Sequence, residues 1–224
     1  MNTAIIVAAG SGTRFGSEIP KQFIEIDGKP LIFHTLEKFE KCSAIDSIVL
    51  VISADEVGRF QSSRFRSAIK KLSVIVAGGS SRAESVRNGL DGVDSSTNVV
   101  VVHDGARPLV TVSEIEACVL KANETGAACL VALVTDTIKT VANGDIAATL
   151  DRDKLRRALT PQAFRLDVLR SAFTDADLSN VTDECYLVEK LGHPIACVEG
   201  NGRNIKVTTQ DDMLIVEAML KRDL

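Results

Sequence analysis

The chain lacks tryptophan and has one tyrosine among its 224 residues, so that aromatic residues make up 4% of it. Because single-stranded nucleic acids are commonly bound by stacking their bases on aromatic side chains, this scarcity argues against that class of protein. The formal net charge of −4 gives no general attraction to nucleic acid. No apolar run approaches the roughly 18 residues of a membrane-spanning helix. We therefore expect neither a nucleic-acid partner nor a membrane.

Cysteine usage points to a reducing compartment. The five cysteines are odd in number, scattered and without C-x-x-C spacing, which is typical of free thiols rather than of a disulfide framework. The first residues also lack the basic region, apolar core and cleavage pattern of a secretory signal. Both observations predict a cytoplasmic protein.

Apolar, β-branched runs alternate with helical stretches along the chain. The pattern predicts strands at 3–8, 47–53, 72–77, 98–103, 127–134 and 195–199, and helices at 30–42, 56–70, 82–91, 112–125, 166–175, 183–191 and 210–222. Continuous apolar strands that alternate with helices are typical of a mainly parallel sheet covered on both faces. We therefore predict an α/β fold, with a Rossmann-like, mainly parallel sheet flanked by helices, in a single domain spanning residues 1–224.

Residues 135–160 depart from this alternation. Two short alternating segments flank Asn143-Gly144, a dipeptide that favours a hairpin turn. An isolated two-stranded hairpin is marginally stable at best in water, so this one needs a surface to cover. That surface is either a partner subunit or the hairpin's own domain, and the spacing does not decide between them. We treat 135–160 as a protruding β-hairpin arm.

A glycine-rich loop with two nearby cations follows the first predicted strand. Gly10, Gly12 and Gly16 let the backbone turn sharply, and successive amide groups in such a loop form a cradle for an anion. Arg14 lies inside the loop and Lys21 shortly after it, which indicates polyphosphate binding. The spacing fits neither the dinucleotide-binding fingerprint nor the P-loop. A tight turn without a ligand is the alternative.

A second polar loop, residues 103–108, leaves the fourth predicted strand. Because ligands on parallel sheets lie beyond the carboxyl ends of the strands, we expect both loops to face one crevice. Asp104 could hold Mg²⁺, which binds through one or two carboxylates plus substrate phosphates. The alternative is a turn aspartate that hydrogen-bonds its own backbone. Arg107 could bind a second phosphate.

Two further segments are ambiguous by themselves. Gly79, Ser80 and Ser85 follow the third predicted strand and suit a nucleobase edge or a ribose, but a glycine turn with a serine N-cap explains them equally well. Lys206 lies between two apolar residues in an extended run and therefore points away from both. Its side chain faces either solvent or the crevice.

Eight short motifs follow one another along the chain, at residues 8–14, 20–22, 78–86, 103–108, 136–137, 159–162, 182–184 and 204–208. Their content and order resemble those of the 2-C-methyl-D-erythritol 4-phosphate cytidylyltransferase family over essentially the whole chain. The resemblance implies a nucleotidyltransferase-type fold and a homodimer joined through the hairpin arm. It also implies a Mg²⁺-dependent step of non-mevalonate isoprenoid biosynthesis. In this step CMP passes from CTP to 2-C-methyl-D-erythritol 4-phosphate, and pyrophosphate is released.

The resemblance also implies a role for particular residues. Arg14, Lys21 and Lys206 would be catalytic, since phosphoryl-type transfer depends mainly on positioning and on stabilising charge at the phosphates. The CTP-binding residues would be Ala8, Ala9, Gly10, Gly12, Arg14, Lys21, Gly79, Ser80, Arg82, Ser85 and Asp104, with Asp104 also the metal ligand. The sugar-phosphate-binding residues would be Arg107, Thr137, Arg152, Thr160 and Lys206.

Two other functions stay open. Ribitol 5-phosphate cytidylyltransferases look similar in several of these motifs, but they typically carry Leu-Ala-Gly-Gly where residues 7–10 here read Val-Ala-Ala-Gly. A non-catalytic nucleotide-binding module should lose the cations of the site before its core, whereas Arg14, Lys21 and Lys206 are all present. One departure from the family is Ser80, which stands where an acid often occurs.

Overall fold

The computed structural model describes residues 1–10, 15 and 19–222. Its strands are β1 (Asn2–Ala8), β2 (Glu25–Ile26), β3 (Lys29–Pro30), β4 (Ser47–Ile52), β5 (Leu72–Ala77), β6 (Val99–Asp104), β7 (Ala127–Leu133), β8 (Lys139–Ala142), β9 (Asp145–Thr149), β10 (Arg156–Arg165) and β11 (Ala196–Glu199). Its α-helices are α1 (Leu31–Lys41), α2 (Val57–Ser62), α3 (Arg82–Asp91), α4 (Val112–Thr125), α5 (Leu166–Phe173), α6 (Glu184–Lys190) and α7 (Gln210–Arg222). None of the helices among the described residues combines the length and apolar character that a bilayer crossing requires.

Seven strands form one central sheet in the order β11-β7-β10-β6-β1-β4-β5. Strand β1 pairs in parallel with both β4 and β6, and the β4–β5 and β7–β11 pairs are parallel as well. Strand β10 runs antiparallel between β6 and β7. The predicted α/β fold with a mainly parallel sheet is therefore confirmed.

The sheet separates two layers of core residues. Ile5 and Ile6 of β1 are both fully buried and point to opposite faces, as successive residues of a strand do. One face packs against α1 and α4, through residues such as Phe39, and the other against α3, α5 and α6, through residues such as Leu169. Covering both faces with helices explains why the central strands read as continuous apolar runs.

The strand β10 is absent from the sequence prediction. It contains Thr160, Pro161 and Gln162, which resemble a turn because proline cannot donate to a sheet hydrogen bond. The structure accommodates them with a shift in the pairing with β7 between Ala158 and Gln162. Residues 160–162, whose sequence is least typical of a strand, thus lie at an irregularity within β10.

The long helix predicted at 56–70 is wrong. Helix α2 ends at Ser62, and 3-10 turns at Ala54–Glu56 and Arg66–Ala68 flank it. Ser63 is extended, and its hydroxyl accepts a hydrogen bond of 3.4 Å from the amide of Phe65. Serine side chains compete in this way with the backbone bonds that would continue a helix.

Strands β8 and β9 form the predicted hairpin. The turn residues Asn143 and Gly144 have φ angles of 54° and 90°, the left-handed pair that a two-residue hairpin turn requires. All residues of both strands are exposed in the single chain, including the cross-strand pair Val141 and Ile146. The hairpin therefore does not fold back on its own sheet. Of the predicted range 135–160, residues from Arg156 onward belong to the central sheet.

Candidate active site

A cleft of about 460 Å³ opens where β1 and β6 end. The two strands are neighbours with Val7 opposite Asp104, and the strand order reverses beside them, which is where ligands bind on such sheets. The cleft is lined by Val7, Ala8, Ala9, Gly10, Lys21, Gln22, Gly79, Ser80, Ser81, Arg82, Ser85, Asp104, Ala106, Lys206 and Thr208. Gly10, the first residue of the glycine loop, thus lines the same cleft as Asp104 and Ala106 of the 103–108 loop, and the rest of the glycine loop lies outside the described residues.

Within the described residues, three cations surround the carboxylate of Asp104, whose side chain is 8% exposed. Its Oδ1 lies 3.0 Å from Arg82 Nε, and its Oδ2 lies 3.2 Å from Arg107 Nε and 3.1 Å from Lys206 Nζ. Burial by itself would raise the pKa of this carboxyl, but the three cations hold that pKa well below its ordinary value. Lys206 thus faces the cleft rather than solvent, and a permanently charged carboxylate organises the cations there.

Lys21 also lines the cleft, from the connection that follows β1. It begins a 3-10 turn, Lys21–Phe23, directly after Pro20. Its Nζ donates to the carbonyl oxygen of Val207 at 2.7 Å, so the segment that carries Lys206 is tied to the 3-10 turn that begins at Lys21. The predicted residues Gly12 and Arg14 lie outside the described residues.

The loop after β5 shapes another wall of the cleft. A Cβ at Gly79 would lie 2.4 Å from Glu84 Cβ, so this close approach needs glycine. The amide of Gly79 donates to Ser85 Oγ at 3.1 Å. The Ser80 amide and hydroxyl both donate to Glu84 Oε2, at 2.7 and 2.5 Å. Glu84 therefore supplies a carboxylate directly beside Ser80.

A buried pair lies behind the cleft. Glu184, the first residue of α6, has a fully buried side chain and accepts from Arg82 through both oxygens, at 2.7 and 3.1 Å. Burial raises the pKa of Glu184, and Arg82 opposes that rise. Burial disfavours the charged form of Arg82, but Glu184 and Asp104 raise its pKa above the ordinary value. Sequence reasoning missed this role of Glu184, and the 182–184 motif was the one signal for it.

Thr160 supports the site from β10, the strand next to β6. Its hydroxyl accepts from the Asp104 amide at 3.1 Å and lies 3.0 Å from His103 Nδ1. The other ring nitrogen of His103 lies 3.2 Å from the carbonyl of Arg107, so the ring carries its proton there and accepts from Thr160. Burial lowers the pKa of His103 to about 3, which keeps the ring neutral. Thr160 is 3% exposed, and its predicted contact with the sugar phosphate stays a prediction.

Two predicted residues lie away from the cleft of their own chain. Thr137 precedes the hairpin, and Arg152 follows it with its Nη1 donating to the carbonyl of Thr135 at 2.8 Å. Arg152 lines a separate depression at the base of the hairpin, together with Leu133, Val134, Thr135, Asp153 and Arg156. Within one chain, the structure therefore does not bring Thr137 and Arg152 together with Asp104.

The donor set around Asp104 can accommodate Mg²⁺. Counting partners in the described part of the chain, Asp104 Oδ1 has one at hydrogen-bond distance while Oδ2 has two, and a carboxylate oxygen can accept twice. Among the described residues, no group of three or more His, Cys, Asp or Glu could hold a metal by itself. One carboxylate completed by substrate phosphates is an ordinary arrangement for Mg²⁺.

Comparison with known proteins identifies the family. Residues 2–222 match the family model described as IspD, 2-C-methyl-D-erythritol 4-phosphate cytidylyltransferase. The chain belongs to this family. Proteins of that name from Desulforamulus reducens and Bacillus licheniformis are 41% and 42% identical, over 98% and 100% of this chain and 95% and 97% of theirs. The resemblance seen in the eight motifs is thereby confirmed.

A solved structure supports the same assignment. The 4-diphosphocytidyl-2C-methyl-D-erythritol synthase from Anaerococcus prevotii superposes with a TM-score of 0.87 at 27% identity, over 99% of this chain and 96% of that one. The agreement covers the whole sheet and its helices rather than one loop. The chain is therefore a cytidylyltransferase with the fold of its family.

Proposed function

We propose that this cytidylyltransferase transfers CMP from CTP to 2-C-methyl-D-erythritol 4-phosphate, with Mg²⁺ and as a homodimer. The observation that carries the proposal is the arrangement of Lys21, Arg82, Lys206 and Asp104 around one cleft at the ends of β1 and β6, in a member of the family. A cleft so lined suits a triphosphate, because cations and glycine-loop amides both bind phosphate oxygens.

The reaction needs no nucleophile from the protein. An oxygen of the methylerythritol phosphate attacks the α-phosphorus of CTP, the new P–O bond forms, and the bond to the β-phosphate oxygen breaks to release pyrophosphate. Lys21 and Lys206 stabilise the charge that develops on the phosphates during this exchange. Arg14, by the family resemblance, belongs to the same set of cations. Positioned charge is worth more in such a cleft than in water, because the groups are already oriented.

Asp104 is the proposed ligand of Mg²⁺. Bound there, the ion would neutralise charge on the triphosphate and help to hold its oxygens in one geometry. Arg82 and Arg107 hold the carboxylate from two sides, so its position does not depend on the substrate. The carboxylate also restrains Lys206 until phosphate oxygens compete for that ammonium group.

The hairpin arm is the proposed dimer contact. Val141 and Ile146 are 66% and 68% exposed in the single chain, which is unfavourable for two paired apolar side chains. A second copy of the chain covers them and brings Thr137 and Arg152 to the sugar phosphate in the partner's cleft. This arrangement gives a role to both residues that lie away from their own chain's cleft.

We place the enzyme in the cytoplasm. All five cysteines are free thiols, and four of them are buried. Free buried thiols persist in the reducing cytoplasm, whereas secreted proteins commonly pair theirs.

The experiment that tests the proposal identifies the products. The purified chain is incubated with CTP, methylerythritol 4-phosphate and Mg²⁺, and ³¹P NMR follows the phosphorus signals. We expect a new diphosphodiester and free pyrophosphate in equal amounts. EDTA should stop the reaction and excess Mg²⁺ should restore it. Hydrolysis of CTP to CMP, or full turnover in EDTA, would contradict the proposal.

A further inference from the structure

The carboxylate of Glu184 is buried, and in the described part of the chain its hydrogen bonds all come from Arg82. Its side chain is 0% exposed, and both of its oxygens accept from Arg82. Burying a carboxylate is costly unless it is paired and hydrogen-bonded. A fully buried Glu at this position therefore needs Arg82 in place, and Arg82 is a residue of the nucleotide cleft.

Arg82 connects Glu184 with Asp104. Its Nη1 and Nη2 bond the two oxygens of Glu184, and its Nε lies 3.0 Å from Asp104 Oδ1. Because the guanidinium is a rigid plane, fixing one edge on Glu184 also fixes the direction of Nε. The orientation of the Asp104 carboxylate is thus set in part by a residue that does not line the cleft.

The base of this connection is firmly anchored. Asp183 caps α6 by accepting from the Tyr186 amide at 3.0 Å, and its other oxygen accepts from Gln162 Nε2 at 2.8 Å. The amide of Cys185 donates to Gln162 Oε1 at 3.2 Å. These bonds attach the start of α6 to β10, so Glu184 is presented from a fixed point of the sheet.

Glu184 also changes the charge balance. Without it, and taking only the residues that the structure describes, the carboxylate of Asp104 would face three cations, Arg82, Arg107 and Lys206. A second carboxylate offsets one of these charges, which leaves Asp104 better able to bind a further cation. The position of Glu184 and its charge therefore both indicate that it supports the carboxylate of Asp104.

We propose that Glu184 is a positioning residue of the nucleotide cleft, which holds Arg82 by a two-point contact so that Arg82 fixes the Asp104 carboxylate for catalysis. This inference rests on the proposed function of the cleft. Glu184 acts through Arg82 and does not contact substrate.

The test compares Glu184→Gln, Arg82→Ala and the double variant by their kcat for pyrophosphate release. Glutamine keeps the size of the side chain but loses the charge and turns an N–H group toward the guanidinium. We expect Glu184→Gln to lower kcat by about 10- to 100-fold, as loss of an outer partner of a site often does. In the Arg82→Ala background the same substitution should change kcat by less than about twofold, because coupled residues are not additive.

The control is Thr111→Ala, which removes the side-chain N-cap of α4 at a residue that does not line the cleft. Its melting temperature should fall while its kcat stays within about twofold of the unsubstituted enzyme. If Glu184→Gln lowers kcat no more than Thr111→Ala does, or lowers it as much in the Arg82→Ala background as in the unsubstituted enzyme, the proposal is wrong. If the unsubstituted enzyme releases no pyrophosphate, the proposed function fails instead.

A second variant covers the case in which Glu184→Gln does not fold. Arg82→Lys keeps the charge, but an ammonium group cannot span Glu184 and Asp104 as the planar guanidinium does. Arg82 lies at the edge of the cleft with its side chain 24% exposed, so the fold should tolerate the change. We expect kcat to fall by roughly 10-fold or more, and turnover within twofold of normal would overturn the proposal.

Discussion

Lys21 and Lys206 show how single side chains from distant parts of the sequence are combined at the cleft. Lys21 donates to the carbonyl of Val207, and Lys206 contacts Asp104. Each cation is therefore held by an oxygen of the protein before any phosphate arrives. Such preorganised charges cost little reorganisation during the reaction, which is why their loss is costly.

The first prediction at this scale concerns Lys21→Ala. We expect turnover to fall by at least about 100-fold, as removal of one preorganised charge contact can. The measurement is kcat for pyrophosphate release at saturating CTP. Lys29→Ala serves as the control, since Lys29 pairs with Glu37 outside the cleft. Near-normal turnover of Lys21→Ala would remove this residue from the mechanism.

The second prediction concerns Arg152→Ala. We expect the KM for the sugar phosphate to rise more than that for CTP, because Arg152 belongs to the arm and not to the nucleotide cleft of its own chain. Steady-state kinetics with each substrate varied in turn measures the two constants. Lys154→Ala, in the same 3-10 turn and 84% exposed, should leave both unchanged. Equal increases with Arg152→Ala would argue against the assignment.

At the scale of the element, hydrogen bonds at the start of α7 fix the position of the segment that carries Lys206. The side chain of Thr209 accepts from the Asp212 amide at 3.2 Å, and Asp212 Oδ2 accepts from the amides of Thr208 and Thr209, both at 2.8 Å. This reciprocal arrangement is a capping box, here with Asp in the third position. It fixes where the chain enters α7, whose first residue, Gln210, comes four positions after Lys206.

The prediction at this scale is a pH-dependent loss of stability in Asp212→Asn. Burial opposes ionisation of Asp212, but its hydrogen bonds to Thr208 and Thr209 lower its pKa from 3.8 to about 2. A carboxyl with a lowered folded-state pKa stabilises the fold above pH 3.8, and this contribution disappears as the pH falls toward about 2.

Urea unfolding of both proteins at several pH values measures this difference. At pH 7 the variant should be less stable by about 1 kcal/mol, in the range of a lost helix cap. The difference in stability should shrink as the pH falls below 3.8 and disappear below the folded-state pKa of about 2. A difference that does not change with pH would show that the charge of Asp212 is not the cause.

The elements also show how far the sequence predicts this molecule. Strands β4 and β6 were predictable because their apolar runs are buried on both faces. Strand β10 was not, since Pro161 and its polar neighbours lie at an irregularity that the rest of the sheet supports. In the site, Asp104 and Lys21 were predictable as cleft residues because Asp104 ends β6, Lys21 comes in the connection after β1, and both strands end at the cleft. The partnership of Glu184 with Arg82 was not, because 102 positions separate them and only the folded chain brings them together.

At the scale of the whole molecule, the arm leaves one chain with an incomplete set of predicted substrate contacts. Thr137 and Arg152 lie at its base, while Asp104, Arg107 and Lys206 lie at the cleft. In the proposed homodimer each cleft takes residues from both chains. Activity toward the sugar phosphate should then depend on association.

Ile146→Glu tests this dependence. A charge on the exposed apolar pair of the hairpin should produce a monomer at micromolar concentration and lower turnover, because burying an unpaired carboxylate in an interface is costly. Light scattering gives the mass, and the pyrophosphate assay gives the rate. Leu214→Glu, at an apolar residue of α7 that is 65% exposed, should remain dimeric and active. A monomeric unsubstituted chain with full activity would contradict the homodimer.

The central claim is the identity of the acceptor, and the most direct measurement compares acceptors under identical conditions. Pyrophosphate release is followed with CTP and Mg²⁺, using methylerythritol 4-phosphate in one series and ribitol 5-phosphate in the other, to give kcat/KM for each. We predict a preference of at least about 100-fold for methylerythritol 4-phosphate, the discrimination that loss of well-matched polar contacts can produce. A preference for ribitol 5-phosphate would keep the fold and the chemistry but contradict the proposed substrate. Release with neither acceptor would contradict the assignment of catalysis to this cleft.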